Sequence, residues 1–170
     1  MKQEDRADYV ARVLVWTWRK IAAGGSSCPL IAREFAQLFG EDSPEVLATL
    51  CTFLRAVALC SNRRMKVAYA GCLGRTSDER QVLALIAAAQ AGNEARLEAH
   101  LRWFARSEAR LVLRVSAHAL GAALERTISY SLAVAAPILA IMECRPGPLP
   151  RLKVRLRMLL IIFANASDSH

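Results

Sequence analysis

The sequence predicts a mainly α protein: a bundle of five or six short helices, followed by a C-terminal tail whose period shifts toward a β-like alternation. Three observations carry that prediction. The 170 residues are 54% hydrophobic and 22% charged, with Ala, Leu and Arg prominent, and these three lose little conformational freedom in a helix. Apolar residues recur at spacings of three and four until a change near Gly121. Capping residues, prolines and glycines fall between the periodic runs. The length suits one domain with a single sizeable core, so residues 1–125 are expected as the helical bundle and 126–170 as a tail or appendage.

The first helix is expected over residues 5–23, where Val10, Val13, Leu14, Thr17 and Ile21 form the apolar row, Arg12, Arg19 and Lys20 lie elsewhere, and Gly24-Gly25 stops the run. Ser26, Ser27 and Cys28 then precede Pro29, offering capping hydroxyls and a proline suited to a first turn. The second helix runs through Ile31, Phe35, Leu38 and Phe39 to Gly40. Ser43, Pro44 and Glu45 open a third helix with a cap, a first-turn proline and an acid at the positive helix end. It reaches about Cys60, is apolar nearly all round, and is expected at the centre of the bundle.

Residues 61–75 read as a basic loop, with Arg63, Arg64 and Lys66 close together and glycines flanking Cys72. Thr76 and Glu79 match a capping box that starts a fourth helix through Val82, Leu85 and Ile86 to Gly92. Asn93 can cap a fifth. Leu97, Leu101, Phe104, Leu111, Val115 and His118 continue a three-four seam, but Glu108 falls inside it, so the helix is expected to break at Ser107 and a sixth to follow from Glu108 to about Leu124.

In the tail, Ile128, Tyr130, Leu132 and Val134 alternate with small residues, and Leu152, Val154, Leu156 and Met158 alternate with Arg and Lys. The breaker-rich stretch 144–150 separates them. The uncharged runs 127–142 and 158–167 are shorter than the ~20 residues a spanning helix needs, so a membrane span is not expected. Residues 159–163 are expected to need burial against the bundle or a second subunit.

The formal net charge is +8, and the basic excess is moderate: 5 basic and 2 acidic residues follow Arg126, leaving 18 and 13 up to and including it. Such a balance admits nucleic acid, an anionic surface or an acidic partner. Five cysteines without a CxxC pair, after an N-terminus with acids where a secretory signal needs an apolar run, suggest reduced thiols in a cytoplasmic protein and no metal site.

Two constellations are candidate binding sites for nucleic acid or an acidic partner. Ala36, Gly40, Leu47 and Leu50 resemble a degenerate helix-turn-helix over about residues 30–55, whose second helix offers Thr49, Thr52 and Arg55 to base edges. Arg102, Arg106, Arg110 and Arg114 form a ladder that could track phosphates, extended by Arg63, Arg64 and Lys66. Glu98 can instead pair with Arg102, making the ladder an ordinary solvated face. No catalytic constellation, cofactor motif or small-molecule substrate site is apparent; Cys72 lacks a neighbouring base. The sequence therefore suggests a small, non-enzymatic, bacterial-type helical protein acting through protein–protein interaction or homo-oligomer formation in a regulatory or adaptor-like role. A DNA-binding regulator is the alternative.

Overall fold

The computed structural model describes residues 3–25 and 28–127. Among these it is all helical: α1 (Gln3–Ala22), α2 (Pro29–Phe39), a 3-10 turn (Gly40–Asp42), α3 (Ser43–Cys60), α4 (Ser77–Gln90), α5 (Glu94–Phe104) and α6 (Ser107–Thr127). The expected helical bundle is thus present. The alternating segments of the tail and residues 159–163 lie outside the described residues.

The helix starts differ in how they are capped. Thr76 and Glu79 form the reciprocal capping box, and the Asn93 side chain accepts the amide of Arg96 at 3.0 Å. Two other caps differ from expectation. The N-cap of α2 is Cys28, with no side-chain hydrogen bond, and Pro29 follows it. For α3 the N-cap is Asp42, also without a side-chain bond, because the 3-10 turn leads into the helix with Asp42 already in helical geometry (φ −79°, ψ −4°). An N-cap side chain reaches forward from non-helical backbone, which Asp42 lacks, so Ser43 begins the helix without a side-chain cap.

Gly40, at φ 58°, divides α2 from α3, a conformation glycine adopts without a side-chain clash. By length and composition Pro29–Cys60 would suffice to cross a bilayer, but it is two helices about this glycine, and the buried side of α3 faces other helices. Val46, Leu50, Phe53, Leu54 and Val57 form that side. At the ends of α3, Glu45 pairs with Arg126 of α6, and Ser61 bridges Ala105 just before α6 begins. The two helices are therefore antiparallel neighbours.

Helix α5 folds back on α6, with Glu98 bonded to Arg110 and Arg114 and His118 beside Glu94 at 2.9 Å. Helix α4 meets α6 at Gly121, where a Cβ would stand 3.2 Å from the backbone nitrogen of Gln90. Gly121 is thus a close helix crossing inside α6, which continues to Thr127, rather than the end of the helical region. Helix α1 is buried over most of its circumference: Val13, Leu14, Val15, Thr17, Trp18 and Arg19 are all enclosed. The expectation that Arg19 lies off the core is corrected on this point.

The seam also changes phase between α5 and α6. Leu97, Leu101 and Phe104 are buried as expected, but in α6 the buried row is Leu113, Ala117, Leu120 and Leu124, while Leu111 and Val115 are exposed. Ala105 is extended (φ −138°, ψ 153°). That interruption resets the helical phase, so a three-four pattern carried through it selects the wrong face.

Candidate interaction surfaces

The loop between α3 and α4 is held by a polar network built from the first turn of α4. Glu79 is buried and accepts four hydrogen bonds: from Arg19 Nε (2.8 Å) and Nη2 (2.8 Å), and from the amides of Ala68 (3.0 Å) and Thr76 (2.7 Å). Arg19 also donates to the carbonyls of Cys72 (2.5 Å) and Gly74 (2.6 Å). One residue earlier, buried Asp78 takes a two-pronged pair from Arg63 (3.0 and 2.8 Å) and the amide of Lys66 (2.5 Å). The Thr76 hydroxyl donates to the Lys66 carbonyl at 2.6 Å.

These bonds fix both legs of the loop. Burying an ion pair is expensive, because the desolvation of two charges offsets much of their attraction. Here the pair simultaneously satisfies loop carbonyls and amides that a helix would have satisfied internally. The loop they organise exposes two large apolar side chains, Tyr69 at 66% and Leu73 at 89%. Arg64 and Lys66 are exposed on the same loop.

A second apolar surface lies on the outer side of α6. Leu111, Val112 and Val115 are 67%, 54% and 60% exposed, and Ala119 and Ala122 continue their row in the exposed class. The row runs opposite to buried Leu113, Leu120 and Leu124, as helical geometry requires.

The sequence-predicted site residues divide among several places. Thr49 and Thr52 donate their hydroxyls to the carbonyls of Glu45 (2.8 Å) and Ala48 (2.9 Å) in their own helix. Thr49 is half-buried, whereas Thr52 and Arg55 are exposed. Arg63 is engaged with Asp78 and lies 4.1 Å from the Trp103 ring centre. Of the ladder, Arg102 (3.1 Å), Arg110 (3.3 Å) and Arg114 (2.5 Å) all bond to the single carboxylate of Glu98. Arg106 is exposed, and its charge adds, after the Glu108 backbone and Ser107 hydrogen bonds, to holding the Glu108 carboxyl below its ordinary value.

The Glu98 carboxyl is held below its ordinary value, chiefly by the hydrogen bond from Arg102; burial opposes this as the second-largest effect, and Arg114 and Arg110 add to the lowering. Three of the four ladder arginines therefore cluster around one acid between α5 and α6. Among the described residues, no hydrogen bond or ion pair links the ladder to Thr49, Thr52 or Arg55.

Among the described residues Cys28, Cys51 and Cys60 are free thiols. Burial raises the thiol pKa of Cys51 and of Cys60, which disfavours their thiolate forms. Among the described residues no group of His, Cys, Asp and Glu could hold a metal ion. His100 is held below its ordinary pKa by burial and then by Arg96, and its Nδ1 lies 2.9 Å from Gln81 Oε1.

Sequence reasoning missed Arg19, Tyr69 and Leu73. Arg19 had a readable signal, because it continues the four-residue row of Ala11 and Val15, both buried. Tyr69 and Leu73 had none, since an apolar residue in a loop can turn in or out. No family model, no characterised protein and no solved structure matches this chain.

Proposed function

We propose that the protein is a non-enzymatic binding module that docks another protein on the loop at residues 62–75. The supporting observation is the coupling of a buried polar network to an exposed pair of apolar side chains. Arg19, Asp78 and Glu79 hold the backbone on either side of Tyr69 and Leu73 before any partner arrives. A loop held in its binding conformation loses less entropy on association. An aromatic ring and a leucine on such a loop are suitable anchors for a partner pocket. Exposed Arg64 and Lys66 would complement acidic groups at the rim of that pocket, steering encounter more than adding affinity.

The test places a photo-crosslinking amino acid at position 69 or 73 of the full chain in its native cells. A discrete crosslinked protein is expected from both positions, with none when the crosslinker replaces exposed Ala95 at the start of α5. Replacing the unlabelled anchor with Asp should remove the product. Absence of crosslinks at both loop positions, or equal labelling from position 95, would overturn the proposal.

A further inference from the structure

We propose that the outer face of α6 pairs with the same face of a second copy of this chain, antiparallel and about a two-fold axis near residue 117. The exposed row of α6 is complementary to itself when reversed. Glu108 and Arg126 lie at its two ends, both exposed, and their separation is five full turns of an α-helix, so they lie in line on one side. Between them the row is graded in size: Leu111, Val112 and Val115 in the first half, Ala119 and Ala122 in the second.

An antiparallel pairing about residue 117 matches this face to itself. Val115 meets Ala119 of the other copy, Val112 meets Ala122, and Leu111 enters the same small-residue half. Large side chains then pack over small ones, the complementarity that close helix packing needs. Glu108 of each copy comes opposite Arg126 of the other, closing both ends with opposite charges. Residue i facing j while j faces i is the defining relation of a two-fold interface.

A parallel pairing would put valine against valine and like charge against like charge. That difference selects the antiparallel form. Arg126 also pairs with Glu45 of its own chain, but both side chains are exposed, and such a surface pair is weakly held. A guanidinium with several donors can serve both carboxylates. One helix face is small for a permanent interface, so the dimer should dissociate on dilution.

Sedimentation equilibrium of the full chain across a concentration series tests this. A reversible monomer–dimer equilibrium is expected for the wild type, and Val115→Asp should leave a folded monomer. Glu108→Arg and Arg126→Glu should each weaken dimerisation about tenfold, and the double swap should restore it to within about twofold. Because positions 108 and 126 are exposed, the swaps remain informative even if Val115→Asp is poorly folded.

A chain that stays monomeric to millimolar concentration would overturn the proposal, as would a dimer indifferent to Val115→Asp or a double swap that fails to rescue. A monomer whose side chains at 111–122 resist surface labelling would also overturn it, by assigning the face to residues beyond Thr127. The loop crosslinking experiment is unaffected by these results, so the two proposals can fail separately.

Discussion

Two clusters of arginines and carboxylates occupy this molecule, and their physics is opposite. Around Glu79 and Asp78, both carboxylates and Arg19 are buried, Arg63 alone reaches the surface, and each carboxylate oxygen is directed at a particular donor of the chain. Around Glu98, three arginines converge on one carboxylate at the surface. The first cluster determines where a loop goes. The second only decorates two helices whose inner sides already bury Leu97, Leu101 and Leu113. Coulomb attraction is similar at contact, but water and salt screen the exposed group and long side chains must be ordered to form it. Burial removes the screening and makes every missing partner costly.

The largest effect should come from Glu79→Ala, which leaves Arg19 buried without its carboxylate. It is expected to lower unfolding free energy by about 3–5 kcal/mol in urea titration, with accelerated hydrogen exchange at the Ala68 and Thr76 amides. Asp78→Ala should cost about 2–3 kcal/mol, since Arg63 can reach solvent when its partner is lost. Its exchange effect should centre on Lys66. If either variant matched the wild type, the distinction between the clusters would collapse.

Thr76→Ala removes one cap and should cost about 1 kcal/mol by the same measurement. A smaller pH effect is expected at His100. Its folded pKa lies below the ordinary 6.5, so below that pH the unfolded state binds more protons and stability falls with falling pH. Comparing urea midpoints above and below pH 6.5 for wild type and His100→Gln should show a shallower decline in the variant.

At the small end, Glu98→Gln should leave the urea midpoint unchanged in high salt. At low salt its weak contribution is present above the ordinary carboxyl value of 4.5 and fades as pH falls through the lowered value. A large loss in high salt would show that the α5/α6 crevice depends on this acid as the loop depends on Glu79.

The capping box at Thr76 and Glu79 illustrates how far local sequence reaches. Its spacing was enough to place the start of α4, because both partners lie within one helical turn. That Glu79 also receives Arg19, sixty positions earlier, could not be read from spacing. The arginine ladder shows the converse. The i, i+4 relation of Glu98 to Arg102 was legible, but the approach of Arg110 and Arg114 depends on α5 folding back against α6. Leu111 and Val115 mark a third case, in which a break expected at Ser107 and found at Ala105 still left the phase of the next helix undetermined.

The sequence by itself determined the helices, the Thr76–Glu79 capping box and most of the core residues of α2 to α5, because propensity, capping and periodicity act within a few residues. Which face of α6 is inward, which arginine is buried, and whether Tyr69 and Leu73 point outward were decided only by tertiary structure. Each depends on the relative rotation of packed elements, and that rotation is fixed by the fit of surfaces brought together from distant parts of the chain.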